Sequence, residues 1–443
     1  MRCTGWLVSL VVLMTVFATG RLLAAQPAPA QPITLGPATM ALNGPWRFSV
    51  GDDPAWAAAD FDDSGWESVD LTPAPGAHDG DVGLPGYVPG WSKRGHAGYT
   101  GYAWYRLRIT VDSDAPLALA GPTDVDSTYQ LYVDGRRLGG PGVFFGTTPT
   151  VYSVQPRVYR LPAASSGTHT YVIALRVWMD PLDAADDGGG IHVAPTIGRL
   201  DDINQLYQVQ WLQTFKGYVV DAVEPIAFVS LAILALVLMA CRRGEGYGWL
   251  AAALLCTAWL RSNQVFFFWT QLESLRVYDV MTAVLFVPLT FATWTLAWRD
   301  WWRLEDHRWV PMRHVILVLL LIHVAAALVG RPWFALEASH GLKTAADVLV
   351  QGVRLVYAVI YLWMIGLALA EHPKPSNLLS ALAAILIGMG LFASELSAIG
   401  LQGIWFPWGT GVSRTQYAYA AFIVLLFALL LTRFLRYAKL WQR

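Results

Sequence analysis

The stretch Ala103-Trp104-Tyr105-Arg106-Leu107-Arg108-Ile109-Thr110-Val111 alternates between two faces of an extended chain. One face carries Tyr105, Leu107, Ile109 and Val111, and the other carries Trp104, Arg106, Arg108 and Thr110. This period of two predicts a half-buried antiparallel strand. Similar short runs fill residues 33–203, separated by Gly, Pro, Asp and Asn, and Asp134-Gly135 predicts a hairpin turn because both residues tolerate a positive φ. The first half of the chain therefore predicts an all-β sandwich of jelly-roll type.

After Trp211 the composition changes to long apolar segments. Seven of them are long enough to cross the hydrocarbon layer of a membrane. They are 218–241, 247–269, 280–298, 310–329, 345–369, 378–399 and 416–433. The sequence predicts a multidomain membrane protein in which residues 204–216 connect the sandwich to an all-α bundle of seven transmembrane helices, residues 217–435, with a short cytoplasmic tail at 436–443.

The charges are divided between the two halves. Residues 31–215 hold 20 acids against 11 Lys and Arg, and residues 216–443 hold 12 acids against 18. The acidic first half and the formal net charge of −1 argue against a nucleic-acid partner. Segment ends and loops assigned to the inside carry 11 Lys and Arg, against five outside, which predicts a cytoplasmic C-terminus and an exported sandwich. Seven Trp residues near segment ends predict an aromatic belt: Trp298, Trp301, Trp302, Trp309, Trp333, Trp405 and Trp408.

The first 32 residues are typical of export. Arg2, an apolar run and Leu23-Ala24-Ala25 predict a signal peptide over residues 1–25, followed by a Pro- and Ala-rich linker at 26–32. A retained first membrane helix is the alternative. The three cysteines, Cys3, Cys241 and Cys256, all fall outside the sandwich, so no disulfide is expected there.

Six ionisable residues within the apolar segments are the most informative: Asp221, Glu224, Arg261, Asp347, Arg354 and Glu395. With the predicted topology they share the outer half of the bilayer, while the inner halves are almost purely apolar. Buried charges are costly unless they are paired or hydrated, so they usually face the interior of a bundle. We interpret them as a polar cup, open to the periplasm, that binds ligand or transmits a signal. A static network of ion pairs, or residues at helix ends that reach water, is the alternative, and it is favoured for Asp221 and Asp347.

In the sandwich, an irregular loop mixes aromatic rings with hydrogen-bond donors. Its candidate ligand-binding residues are Trp91, Arg94, His96, Tyr99 and Tyr102. An ordinary packing loop fits the same pattern equally well. Trp46, Trp66 and Trp104 are predicted to be core residues rather than sugar platforms. The acidic run Asp183, Asp186 and Asp187 favours a solvated loop over a calcium site, and no metal or cofactor is predicted.

Five segments of the sandwich, in order, resemble the N-terminal sugar-binding, galactose-binding-like domain of glycoside hydrolase family 2. They are Leu42-Asn43-Gly44-Pro45-Trp46-Arg47-Phe48, Phe61-Asp62-Asp63-Ser64-Gly65-Trp66, Gly101-Tyr102-Ala103-Trp104-Tyr105-Arg106, Leu131-Tyr132-Val133-Asp134-Gly135-Arg136 and Gly188-Gly189-Gly190-Ile191. The resemblance implies a jelly roll and carbohydrate binding. The catalytic barrel of that family, with the two carboxyl groups that glycoside cleavage requires, has no counterpart in this sequence, so no enzyme activity is expected.

The layout of the whole chain resembles the bacterial seven-transmembrane receptors with diverse intracellular signalling modules. This implies a multi-pass protein of the bacterial inner membrane with a periplasmic sensor domain. No Gly-rich phosphate loop or other output motif occurs in the sequence. We therefore expect a separate cytoplasmic signalling protein (a kinase, cyclase or phosphatase) as partner, or a truncated member of the group, and a homodimer is compatible with this plan.

Together these features predict a receptor for a small molecule or a glycan. The ligand would bind on the periplasmic side, and the helices would pass the signal to a cytoplasmic partner. Two alternatives stay open: a membrane-anchored glycan-binding protein, and a membrane enzyme or carrier for a lipid-linked sugar. Internal charges in the helices are more than an anchor needs, which favours the receptor.

Overall fold

The computed structural model describes most of the chain after residue 38. The described residues are 39–79, 85–113, 115–162, 168–183, 188–241, 246–304, 311–334, 340–371, 375–401, 404–405 and 412–441. The predicted signal peptide and linker lie outside them, as do Asp186 and Asp187 of the acidic loop.

The first part of the described chain, residues 39–199, is built from strands, and we call it the β region. Its strands are β1 (Thr39–Ala41), β2 (Trp46–Val50), β3 (Glu67–Val69), β4 (Gly101–Asp112), β5 (Leu117–Ala120), β6 (Thr128–Val133), β7 (Arg136–Gly139), β8 (Val158–Arg160), β9 (Thr168–Met179) and β10 (Thr196–Arg199). Six of them form one sheet in the order β3-β2-β4-β9-β6-β7, and four form a second sheet in the order β1-β10-β5-β8. All the strand pairs in both sheets are antiparallel. The jelly-roll connectivity stays a prediction.

The two sheets share one buried apolar cluster, to which Phe48 and Tyr105 contribute from the larger sheet and Leu119 and Ile197 from the smaller. Along β4 the predicted alternation is confirmed, since Tyr105 belongs to this cluster and Leu107, Ile109 and Val111 pack against it. The expected half-burial is wrong at the start of the strand. Trp104 is 0% exposed and Arg106 is 1% exposed, because the segment that carries Trp56, Phe61 and Trp66 covers their face.

The predicted hairpin turn is confirmed between β6 and β7. Asp134 and Gly135 have φ values of 50° and 78°, and Val133 pairs with Arg136 across the turn. The predicted burial of Trp46 and Trp104 is also confirmed, while Trp66 packs, partly buried, beside Trp104.

The helical region follows β10 without a break. Its helices are α1 (Leu200–Cys241), α2 (Tyr247–Trp269), α3 (Leu275–Trp301), α4 (Met312–Gly330), α5 (His340–Glu371), α6 (Pro375–Leu391) and α7 (Arg414–Trp441). Helix α3 contains a π-helical stretch at Val280–Phe286. A short helix, Ala393–Ala398, and a two-stranded ribbon of β11 (Ile404–Trp405) and β12 (Val412–Ser413) lie between α6 and α7. Residues 204–216, which we expected to form a connector, are the first turns of α1.

The helical region is membrane-embedded. Among the described residues, five helices are long and apolar enough to cross a membrane: α1, α3, α4, α5 and α7. Helices α2, with 23 residues, and α6, with 17, occupy the other two predicted segments, and the predicted total of seven spans stays a prediction. Large apolar side chains such as Ile226, Val359 and Val424 are exposed on the helix surfaces, as a lipid environment requires.

Two of the Trp residues assigned to an aromatic belt lie inside the bundle instead. Trp298 and Trp302 are buried and stack with their ring centroids 5.2 Å apart. The Nε1 of Trp302 donates a hydrogen bond to the Oγ of Ser380 on α6, over 2.8 Å. The belt assignment is wrong for these two rings because helix packing encloses both of them, and the indole of Trp302 also has a hydrogen-bond partner inside the protein.

Candidate functional site

A cavity of about 370 Å³ lies where the β region meets the helical region, and we call it the junction cavity. Loops of the β region form one wall, and α1, α2 and α3 form the other. The residues that line it are Asp79, Thr123, Asp124, Val125, Asp126, Ser127, Val151, Tyr152, Ser153 and Val154 from the β region and Thr214, Tyr218, Phe267, Phe268, Leu275 and Tyr278 from the helices. Its volume falls within the range of small-molecule sites in proteins.

The wall from the β region is polar and acidic. The segment between β5 and β6 supplies Asp124 and Asp126, and Asp79 joins them from the segment before β4. The carboxylate of Asp126 lies 3.0 Å from the Nε2 of His192 and also accepts a hydrogen bond from the backbone N–H of Gly189. His192 and Gly189 do not line the cavity, so these two bonds fix the position of Asp126 from outside it.

His192 is the cation behind this wall. Its ring is buried, lies 2.8 Å through Nδ1 from the carbonyl oxygen of Val88 and stacks on Tyr87 at 4.7 Å. Burial alone would lower the pKa of His192, but the hydrogen bond and charge of Asp126, with the charge of Asp124, raise it to about 9. At neutral pH both ring nitrogens therefore carry protons and donate, one to Asp126 and one to Val88.

The wall from the helices is aromatic. Tyr218 of α1 stacks on Phe268 of α2 with ring centroids 4.4 Å apart and planes within 10°. Phe267 of α2 stacks on Tyr278 of α3 with the same separation. Since the four rings come from three helices, a molecule seated in the cavity would contact all three at once.

Hydrogen bonds join the β region to the turn between α2 and α3 beside the cavity. The side chain of Gln271 accepts a bond from Arg157 and donates one to the carbonyl oxygen of Ser153 over 3.2 Å. Gln155 donates to the carbonyl oxygen of Phe268 over 3.3 Å, and the N–H of Leu275 donates to the carbonyl oxygen of Val151 over 2.9 Å. The turn is thus fastened to the β region through both side-chain and backbone groups.

The loop residues expected to bind ligand have partners within the β region. Trp91 is buried and donates through Nε1 to the carbonyl oxygen of Tyr99 over 3.1 Å. Arg94 donates to the carbonyl oxygens of Pro89 and Asp70, and His96 lies 3.0 Å from a carboxylate oxygen of Glu67. These contacts hold the loop in place.

Tyr99 and Tyr102 continue the same packing. The hydroxyl of Tyr99 donates to the carbonyl oxygen of Tyr102 over 2.6 Å. The ring of Tyr102 packs against Trp178 at 4.6 Å and lies under the guanidinium of Arg176. None of the five predicted loop residues is among the lining of the junction cavity, and their role in ligand binding stays a prediction.

Five of the six predicted intramembrane charges, all except Asp347, form two groups in the structure. In the first, Arg261 of α2 donates through Nε to Glu224 over 3.0 Å and through Nη2 to Asp221, both on α1. Gln416 of α7 also donates to Asp221 over 3.0 Å. The three ionisable side chains are buried, and Pro225, which cannot donate a bond to the carbonyl of Asp221, follows Glu224 in the same turn.

The second group is a two-bond ion pair between Arg354 of α5 and Glu395 of the short helix after α6, at 2.6 and 2.9 Å. A smaller cavity, of about 170 Å³, is lined by both Arg354 and Tyr419. The ring of Tyr419 also lies 5.6 Å from the guanidinium carbon of Arg261. This ring of α7 therefore borders both Arg261 and the cavity that Arg354 lines.

Sequence reasoning missed the junction cavity. Its lining residues are distributed over about 200 positions of the chain and follow no local motif. The signal available was weak: aromatic residues at the facing ends of the first three membrane segments, opposite an Asp-rich turn at Asp124-Val125-Asp126. Within the described residues, no group of three or more His, Cys, Asp or Glu side chains is arranged to hold a metal ion.

No protein-family profile and no curated protein matches the sequence. Solved structures similar to part of the chain are glycoside hydrolases. A β-glucuronidase of glycoside hydrolase family 2 is 17% identical with a TM-score of 0.27, over 38% of this chain and 18% of its own. The Bacteroides uniformis β-glucuronidase is 19% identical with a TM-score of 0.25, over 36% and 17%. A Ruminococcus gnavus β-glucuronidase is 12% identical with a TM-score of 0.22, over 38% and 30%. The chain thus spans less than a third of the length of each of these enzymes.

Proposed function

We propose that this protein is a receptor of the bacterial inner membrane that binds a small molecule in the junction cavity and passes the signal through its helices to a cytoplasmic partner. The observation that carries the proposal is the shared lining of that cavity, with one wall from the β region and the other from three helices. A ligand there contacts both regions, so its affinity depends on how they are packed. Differential affinity for two packings is what a ligand needs to shift a conformational equilibrium.

Two connections support transmission from this site. Helix α1 runs from the last strand of the β region to Cys241 without interruption, and its N-terminal residues Ile203 and Leu206 pack on Ala118 and Ala120 of β5. The turn between α2 and α3 is fastened to the β region through Gln271. A displacement of the cavity wall therefore acts both on the start of α1 and on the turn between α2 and α3.

The intramembrane charges support a bundle in which the alignment of the helices is specified. Arg261 joins α2 to two acids of α1, and Gln416 of α7 shares one of them. Such buried ion pairs specify how helices align, because a shifted helix leaves a charge without its partner. An anchor has no need of this specification.

The proposal is tested by asking whether the junction and the far ends of the helices are coupled. Cys241 lies exposed at the end of α1 and provides one natural labelling site. After Cys3 and Cys256 are replaced by serine, Arg436→Cys at the exposed end of α7 provides the second. The distance between spin labels at these sites is then measured by pulsed electron paramagnetic resonance in lipid nanodiscs.

Gln271→Ala removes the side chain that fastens the α2–α3 turn. We expect it to shift or broaden the label distance by roughly 1–2 Å, the usual size of helix displacements in switching proteins. The matched control is Gln213→Ala, which removes an exposed glutamine from α1. If the two variants have the same distance distribution as the parent, the helices serve only as an anchor and the receptor proposal is wrong.

A further inference from the structure

The charge of the junction cavity limits what it can bind. Three carboxylates, those of Asp79, Asp124 and Asp126, line its wall, and none of the sixteen lining residues is Lys or Arg. His192 lies behind the wall and pairs with Asp126. A cavity lined by carboxylates concentrates cations and repels anions such as phosphorylated or carboxylated sugars.

The opposite wall adds a second preference that does not depend on the acids. Tyr218, Phe268, Phe267 and Tyr278 present stacked rings. The face of an aromatic ring is the negative part of its quadrupole and attracts an ammonium group, most strongly where water is displaced. An inorganic cation would gain little from such a wall, whereas an organic ammonium would bury its carbon skeleton there.

From these two walls we infer that the junction cavity binds a small organic ammonium compound, with the charged nitrogen toward Asp124 and the carbon skeleton against the rings of Tyr218 and Phe268. This inference rests on the proposed function, since it names the ligand class of the same site. The volume of about 370 Å³ admits a molecule of monosaccharide size. Thr123, Ser127 and Ser153 could bind hydroxyl groups of the same ligand.

The test compares cations with neutral molecules of the same shape, by calorimetric titration of the full chain in nanodiscs. Choline is paired with 3,3-dimethylbutan-1-ol, and glucosamine with glucose. We expect at least one cation to bind and its neutral counterpart to bind at least about tenfold more weakly, with binding of the cation weakened by added salt. This comparison uses the unaltered protein, so it does not depend on the folding of any variant.

Asp124→Asn then removes one charge from the wall with little change of shape, and we expect it to weaken binding of the cation by about tenfold or more. Asp112→Asn, at the exposed end of β4, is the matched control and should leave the affinity unchanged.

Equal binding of cation and neutral counterpart would overturn the inference in favour of a hydroxyl-recognising sugar site. Absence of binding by either cation, or an unchanged affinity in Asp124→Asn, would also overturn it. None of these results affects the spin-label test, which uses no ligand, so failure of the ligand class and failure of the receptor proposal are distinguishable.

Discussion

The β region and the helical region bury different kinds of side chain and expose different kinds. In the β region Trp46, Phe48 and Leu175 are inside, and few large apolar side chains are exposed. In the helical region Ile226, Val359 and Val424 are exposed, while Asp221, Glu224 and Arg261 are buried. This difference indicates the environment of each region. Burial of apolar groups lowers the free energy of a protein in water, but it has no such effect in lipid.

Each region nevertheless buries an arginine that is paired with acids, Arg106 or Arg261, and these two differ in what surrounds them. Arg106 of β4 donates to Asp63 over 2.8 Å, and 25% of the Asp63 side chain is exposed to solvent. Arg261 of α2 pairs with Asp221 and Glu224, whose side chains are 4% exposed. Loss of the cation therefore leaves a hydrated acid in the β region and two buried acids in the helical region.

The largest expected effect is that of Arg261→Ala. Breaking a buried ion pair by removing one partner typically costs roughly 3–5 kcal/mol, because an uncompensated charge is left behind. We expect a large fall in the unfolding temperature of the full chain in detergent, followed by tryptophan fluorescence. Arg106→Ala should cause a smaller fall, since water reaches Asp63.

Arg436→Ala, at the exposed end of α7, is the control for loss of an arginine as such. It should leave the unfolding temperature nearly unchanged. If Arg261→Ala behaves like this control, the acids of α1 are hydrated, and the contrast between the two regions does not hold at that level of the bundle.

A smaller effect is expected from pH, and it belongs to the β region. The pKa of His192 is about 9 in the folded protein, against 6.5 for an ordinary histidine. A raised pKa stabilises the fold fully below pH 6.5, and that stabilisation is lost as pH rises through 9. At about 1.4 kcal/mol per pKa unit, and with allowance for residual interactions in the unfolded chain, we expect a loss of about 2 kcal/mol.

The measurement is the unfolding temperature of the full chain at pH 6, 7.5 and 9.5. His192→Gln is the matched variant, because it retains a donor but does not titrate in this range. The parent should lose stability across the range, and the variant should be flatter. A parent whose stability rises with pH, or a variant with the same slope, would contradict the assignment of His192 as the buried cation behind Asp126.

Local patterns predicted the parts of this fold that depend on local geometry. The alternation along β4 and the Asp134-Gly135 turn follow from the period of a strand and from the φ values those residues tolerate. The intramembrane charges could be selected from sequence because the cost of a charge in lipid does not depend on the fold. Their division into two groups could not, since it depends on which helices are neighbours.

The junction cavity and the burial of Trp298 could not be predicted for a related reason. In a segment that is apolar on every side, hydropathy does not distinguish a ring that faces lipid from one that faces another helix. The cavity requires Asp124 and Phe268 to meet across a long stretch of chain. That meeting is set by the direct joining of β10 to α1, where the sequence suggested a connector at residues 204–216.

The smallest expected effect tests whether exposed side chains contact lipid in the helical region and water in the β region. Val359 on α5 is 68% exposed and Phe145 in the β region is 89% exposed, so neither has much packing to lose. Val359→Ser places a hydroxyl against lipid and should cost about 1 kcal/mol on membrane-insertion scales, whereas Phe145→Ser places one in water and should change stability by less than about 0.5 kcal/mol. Unfolding temperatures of the two variants in lipid bicelles provide the comparison. Equal effects would mean that the surface around Val359 is covered by protein or water, because only a lipid contact makes an exposed serine costly on one surface and neutral on the other.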